Sequence, residues 1–213
     1  MVDGKVCNGA THTTSTLKCY ICGTISEEFN DLSKRKDVKE ESLKFGLSIL
    51  HARIRFFENL LHLSYKLPLR KWQLRSQSDK DAVKEKKKEI QQKFRNEMGL
   101  IVDVPGKSGN SNDENTSRRF FADYELSASV TGIDVNLVFR FKIILEAISS
   151  KYKINIETFK EYASETEKLY VQLYQWHPMS PNIHKILRHG AEVISSTLLP
   201  IGQLSEEAVE ARK

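Results

Sequence analysis

The sequence predicts a mainly α-helical fold whose two ends supply a matched pair of motifs. Apolar residues recur every three or four positions over most of the 213 residues, and helix start and stop signals flank these stretches. A Cys-x-x-Cys pair near the start is matched by a His-x4-His pair near the end. With 39% hydrophobic and 29% charged residues, the composition is that of a globular protein.

The charge and the cysteine count narrow the functional classes. The net charge is +5, from 33 basic and 28 acidic residues, and a basic balance favours an anionic partner such as nucleic acid. No apolar run approaches the roughly 18 residues of a membrane span, and the first residues lack a secretory pattern, so we expect neither. Three cysteines are too few for a disulfide framework, and a Cys-x-x-Cys pair then indicates metal or redox chemistry.

The apolar pattern changes after the first 30 residues. In that first part we predict only short extended pieces, around Met1–Val2 and Leu17–Ile21. A long helix is predicted from Glu41 to a stop at Pro68. Further helices are predicted over 78–98, with Gly99 as a stop, and over 118–126, 157–174 and from 205 onward, with a loop over 105–117. Two more are predicted over 134–150, with Asp134 as its cap, and over 180–195, with Ser180 before Pro181 as its start.

The cysteine and histidine pairs together predict a metal site. Cys19 and Cys22 can present two thiolates from a tight turn, and the spacing of His184 and His189 occurs at zinc sites. Two sulfurs and two nitrogens make a closed tetrahedral set, so a bound zinc ion would be structural. Five helical positions correspond to about 140° between side chains. We therefore expect a loosened turn over 188–190, which Gly190 would tolerate.

Other interpretations of these residues stay open at this point. A Cys-x-x-Cys pair also occurs by chance, as a redox motif or as half of a distant site, and paired histidines are common on surfaces and in cores. The metal could instead take a different ligand from among Cys7, His12 and His177. For Cys7, a small buried residue is the simpler interpretation.

Several short motifs carry a resemblance to a known family by their order and spacing. They are Cys19–Gly23, Asn182–His189 and the tail Leu199–Lys213. Asn115 with Arg118–Arg119 falls where that family has an Asn followed by a basic pair. Together they resemble the C-terminal part of Transib-type DNA transposases, whose superfamily includes the catalytic subunit of the V(D)J recombinase. The resemblance spans nearly the whole chain.

The resemblance implies a ribonuclease H-like transposase in which a large helical insertion, held together by zinc, separates the last strand from the last helix. Residues 1–30 would then hold the end of the sheet and the cysteine half-site. Residues 31–197 would form the insertion with the histidine half-site, and residues 198–213 the truncated start of the last catalytic helix. By this resemblance we expect a mainly α-helical chain with short extended segments at its start.

The chemistry that the resemblance implies is DNA strand cleavage and transfer. Three carboxylates of the family hold two divalent ions, Mg²⁺ or Mn²⁺, at the DNA phosphodiester. Glu210 is implied as the third carboxylate, and the first two aspartates are not in this sequence. One carboxylate does not hold two ions, so we expect this chain alone not to cleave DNA. Glu114 stands where the closer relatives within this family carry a glycine before the Asn. This departure weakens the expectation of DNA contacts there.

The expected partner is DNA, the terminal repeats of a transposon, which implies a nuclear location. Basic residues beside the first long helix and on the second would contact phosphates, and others are implied by the resemblance. These residues are Arg70, Lys71, Lys87, Lys88, Asn115, Arg118 and Arg119. A Lys-rich helix that is simply solvated is the alternative for the second helix, and a homodimer stays open.

Two further hypotheses stand beside this one. The chain could be a non-enzymatic helical module, stabilised by zinc, that binds DNA or protein and derives from a transposon. It could also be a plain helical domain whose cysteines and histidines never meet. The distance between the two pairs in the folded chain separates the last hypothesis from the others.

Overall fold

The structure is a computed structural model that describes residues 7, 9–11, 13, 15, 17–34, 36–106, 109–110 and 112–204. These residues are mainly helical, as predicted. Glu210, the predicted helix from residue 205 and the predicted extended piece at Met1–Val2 lie outside the described residues, as does His12.

From residue 40 onward, the chain forms helices joined by short connections. The α-helices are α1 (Glu40–Leu43), α2 (Ile49–Lys66), α3 (Gln77–Lys93), α4 (Glu114–Ala122), α5 (Tyr124–Thr131), α6 (Val135–Ser149), α7 (Ile156–Tyr174) and α8 (Pro181–Ser196). Two 3₁₀ turns, Ser26–Glu28 and Ile201–Leu204, flank this helical part. A π-helical turn, Phe94–Met98, extends α3.

Most helix ends follow the start and stop signals of the sequence. Asp134 and Ser180 cap α6 and α8 through side chains that accept from backbone N–H groups, as expected. Gly99 takes a left-handed conformation (φ 60°) after Met98, which confirms the predicted stop.

Three features of the predicted helices are wrong. The first long helix begins at Ile49, where Ser48 caps it. Gly46, with φ +66°, cannot continue a right-handed helix, so the short helix α1 stays separate from it. The predicted loop over 105–117 is shorter than expected, because Asp113 caps a helix that begins at Glu114. Asp123 then separates α4 from α5, where one helix was expected.

The core forms around α2, which packs against α3, α4, α6 and α8. Its residues Phe56 and Phe57 are fully buried and contact rings of other helices, with centroids 4.7 Å from Phe141 and 5.0 Å from Phe120. The helices α7 and α8 pack against each other, and α8 also touches α2. The helix that carries both predicted histidines is therefore held from two sides.

Strands are almost absent from the described part of the chain. Pro105–Gly106 and Gly109–Asn110 form one antiparallel pair of two-residue strands. The extended piece predicted over Leu17–Ile21 is reduced to a single bridge between Lys18 and Ile25, because residues 20–22 turn. A ribonuclease H-like sheet is not seen among these residues. Within the same residues, no helix is both long and apolar enough to cross a membrane.

Candidate metal centre

The Cys-x-x-Cys pair lies in a tight turn that its own backbone hydrogen bonds hold. The amide of Gly23 donates to the carbonyl of Cys19 at 2.8 Å, and the amide of Cys19 donates to the carbonyl of Thr24 at 2.9 Å. Gly23 has a φ of +72°, a conformation that glycine adopts without a steric penalty. The turn places the two sulfurs side by side, and Cys19 and Cys22 are both buried.

The His-x4-His pair lies on a regular helix, so the loosened turn predicted over 188–190 is wrong. The helix α8 runs without interruption from Pro181 to Ser196. The imidazoles of His184 and His189 both reach the cysteine turn, with ring centroids 5.3 Å apart. Gly190 serves close packing instead, since a Cβ atom there would lie 2.9 Å from Cε1 of Phe159.

The two pairs meet in one buried cluster, which we name the Cys/His cluster after its four members. One ligand atom from each of Cys19, Cys22, His184 and His189 lies within 4.8 Å of the others. Nε2 of His184 is 3.4 Å from the Sγ atom of Cys22, although 162 positions separate the two residues. Two ligands on one tetrahedral zinc ion are about 3.4 to 3.8 Å apart, given the usual bond lengths. The distance between Cys22 and His184 therefore already suits a shared ion.

The electrostatics of the Cys/His cluster favour a thiolate on Cys22. A hydrogen bond from the Cys19 thiol, with further ones from both histidines, lowers the pKa of Cys22. The same hydrogen bond, together with burial, raises the pKa of Cys19, so the pair shares one proton. Burial lowers the pKa of His184, which keeps its imidazole neutral. Thiolate sulfur and neutral imidazole are the forms in which these side chains bind metal.

The donor set fits zinc. Nε2 of His189 is buried and has no hydrogen-bond partner among the described residues, which is costly unless a metal or a donor engages it. The set of two sulfurs and two nitrogens is that of closed structural zinc sites. The buried cluster can therefore hold a metal ion such as zinc, and among the described residues it is the one such group of histidine, cysteine and acidic side chains.

Three neighbours that sequence reasoning missed position the Cys/His cluster. Thr24 forms a hydrogen bond of 3.0 Å with the Cys22 sulfur. The fully buried Phe29 stacks on His184, with centroids 4.2 Å apart and planes 18° from parallel. The Asn30 amide donates to the carbonyl of His177 at 2.9 Å, and its oxygen accepts from the amide of Met179 at 3.0 Å. No sequence pattern could have pointed to the contacts of Phe29 and Asn30, because their partners are about 150 positions away.

Two of the rival ligands lie elsewhere. Cys7 is 1% exposed and outside the Cys/His cluster, which confirms its interpretation as a small buried residue. His177 is also buried, but its Nδ1 atom forms a hydrogen bond of 3.1 Å with the hydroxyl of Tyr170. Neither contributes an atom to the four-residue group.

The predicted DNA-contacting residues are mostly exposed and lie on or directly after three different helices. Arg70 is exposed, with a φ of +50°, and Lys71 pairs with Asp79 at 3.1 Å. Lys87 is ion-paired with Asp103, whereas Lys88, its neighbour on α3, is exposed.

The Asn and the basic pair of the predicted motif lie on α4. Asn115 is exposed. The guanidinium of Arg119 donates to the carbonyl of Met98. Glu114 accepts hydrogen bonds from Arg118 at 2.7 Å and from the buried Arg53 at 3.0 Å, so it ties α4 to α2. Their contact with DNA stays a prediction.

The fold and the site define a class: a mainly helical protein with a buried Cys₂His₂ cluster that joins its two ends. Comparison of the chain with protein-family models and with curated protein sequences finds no match. The function is therefore proposed from the site itself and from the sequence resemblance.

Proposed function

We propose that this chain is the zinc-binding helical insertion domain of a DDE-class DNA transposase or recombinase. In this proposal the Cys/His cluster binds one structural zinc ion, and the surrounding helices present basic residues to the terminal repeats of a transposon in the nucleus. Glu210 supplies the third catalytic carboxylate. Strand cleavage would use Mg²⁺ or Mn²⁺ held by all three carboxylates, and residues 1–213 supply one of them.

One observation carries the proposal. The resemblance requires two short motifs, far apart in sequence, to supply ligands to the same ion. Cys22 and His184 lie 3.4 Å apart across 162 positions, and the other two members of the cluster are beside them. Cysteines and histidines that do not share a ligand would not be expected to meet in a buried cluster in which Nε2 of His189 has no hydrogen-bond partner among the described residues.

The helix α3 offers a surface for DNA phosphates, because some of its lysines form ion pairs with carboxylates and others do not. Lys86 and Lys93 both pair with Glu89, at 2.8 and 3.0 Å. Lys84 and Lys88 are exposed, lie one helical turn apart, and pair with no carboxylate of the described residues. Two ammonium groups on one stripe of the helix are thus available to anionic oxygens.

Replacing Lys84 and Lys88 together with glutamine should weaken binding to duplex DNA and flatten its dependence on salt. Each phosphate contact that is lost lowers the slope of log affinity against log salt by about 1. The matched control changes Lys86 and Lys93 to glutamine, which removes the same charge from the same helix but from paired lysines. Affinity measured by fluorescence anisotropy at several salt concentrations checks this. Equal slopes in the two double variants would contradict the assignment of this surface.

A further inference from the structure

A cleft of about 940 Å³ lies between α2, the middle of α3, the connection from α7 to α8, and the segment around Tyr20. None of the four residues of the Cys/His cluster lines it. Its walls include the aromatic rings of Trp72, Tyr65 and Tyr20. Ligand sites in proteins have volumes of roughly 300 to 1,000 Å³, so the cleft is large enough for an organic ligand.

Among the described residues in the wall of the cleft, Lys66 is a half-buried ammonium group that no described carboxylate neutralises. Arg55 pairs with Glu58 at 2.6 Å, and Lys87 pairs with Asp103. Lys66 donates to the backbone carbonyl of Trp72 at 2.9 Å, but no described carboxylate forms an ion pair with it. Burial lowers the pKa of Lys66, which reflects the cost of keeping this charge away from water. An anionic ligand would remove that cost.

His177 presents a hydrogen-bond acceptor in the same wall. The hydroxyl of Tyr170 donates its one proton to Oδ1 of Asn59 at 3.0 Å, so its oxygen accepts from Nδ1 of His177. Burial and the charge of Lys66 lower the pKa of His177 to about 3, so the ring is neutral and Nε2 carries only a lone pair. That nitrogen is buried and has no hydrogen-bond partner among the described residues.

Trp72 brings these two groups together. Its ring centroid lies 4.3 Å from the Nζ atom of Lys66 and 4.9 Å from the ring of His177, which it meets edge-on. The indole is 37% exposed, so part of its surface is open to a ligand. A single molecule in this part of the cleft would meet a cation, an acceptor nitrogen and an aromatic surface.

We propose that the cleft binds a nucleotide, with its phosphate on Lys66, an amino group of its base donating to Nε2 of His177, and the base against the exposed part of Trp72. A nucleotide combines an anionic group, a flat ring and N–H donors in one molecule, and aromatic side chains stack on bases without regard to sequence. A free nucleotide and an unpaired nucleotide of a single strand share this chemistry. Neither the Cys/His cluster nor the transposase assignment is needed for such binding.

The test is calorimetric titration of the purified chain with deoxyadenosine monophosphate, with its N6,N6-dimethyl analogue and with inorganic phosphate. We expect saturable binding of the nucleotide, and binding of the analogue that is about fivefold to tenfold weaker, because it has no N–H to donate to His177. Both compounds are compared on the unaltered chain, so this result does not depend on how a variant folds. Equal affinity for the two adenine compounds, no saturable binding, or equally tight binding of phosphate alone would overturn the proposal.

A pair of variants tests the phosphate contact separately. Lys66→Met should weaken nucleotide binding about tenfold, and Lys168→Met, which removes an exposed lysine of α7 outside the cleft, should leave it unchanged. Equal losses in the two variants would contradict a contact at Lys66. Titration with an adenine octadeoxynucleotide then identifies the source: tighter binding than the mononucleotide assigns the ligand to a strand, and equal binding to a free nucleotide.

Discussion

Replacing Cys22 with serine is expected to lower the free energy of unfolding by about 5 kcal/mol or more, enough to unfold much of the chain. Structural zinc contributes about 10 to 16 kcal/mol in small zinc domains, and whole domains are stable by only about 5 to 15 kcal/mol. The loss should be large here because Cys22 joins the chain across 162 positions to His184. Circular dichroism during thermal unfolding, with and without added zinc, measures it.

Cys7→Ser provides the matched control for that experiment. Cys7 is as buried as the cysteines of the Cys/His cluster but lies outside it, so its replacement costs only a local contact. Added zinc should raise the melting temperature of the Cys7 variant as it does for the unaltered chain, and should do little for the Cys22 variant. If zinc stabilised all three proteins equally, or none of them, the cluster would not be the zinc site.

The second large effect is expected at a buried ion pair beside the cluster. Arg188 on α8 donates to the Glu167 carboxylate on α7 at 2.8 Å, and the two side chains are only 12% and 6% exposed. Arg188→Met removes the cation and leaves a charge in the contact between α7 and α8. Removing one partner of such a pair costs about 3 to 5 kcal/mol. Urea unfolding of the variant, monitored by fluorescence, provides the measurement.

Two further variants show whether the cost comes from the buried charge. The double change Arg188→Met with Glu167→Gln should recover most of the lost stability, because no uncompensated charge then remains in this contact. Arg55→Met removes a 53% exposed arginine from its pair with Glu58 and should cost about 1 kcal/mol or less. A cost for Arg188→Met no greater than for Arg55→Met would show that burial does not matter at this pair.

The sequence predicted the helices well where periodicity and caps agree. Asp134 and Ser180 each precede a clear apolar stripe, and both cap the helices expected from them. The prediction was wrong at the start of α2. The apolar stripe continues through Leu43 and Leu47, although the left-handed conformation of Gly46 interrupts the helix between them. Periodicity reports which residues face the core and does not report where the backbone turns.

The candidate site was also predicted from the sequence only in part. The spacing of the two pairs was enough to suggest the members of the Cys/His cluster. The loosened turn predicted before His189 was wrong, because rotation about the side-chain bonds lets an imidazole reach further around a helix than its Cα position suggests. The contributions of Phe29 and Asn30 depend on contacts with residues about 150 positions away, which no local pattern records. The pairing of Lys87 on α3 likewise required the position of Asp103.

The zinc content of the purified chain tests most directly the claim on which the rest depends. Inductively coupled plasma mass spectrometry, on protein purified without added metal, should find about one zinc ion per chain. It should find close to none in a Cys19→Ser, His189→Ala double variant, while Cys7→Ser keeps the full amount. Zinc that is absent from the unaltered chain, or retained in the double variant, would contradict a metal centre built from the two ends of this polypeptide.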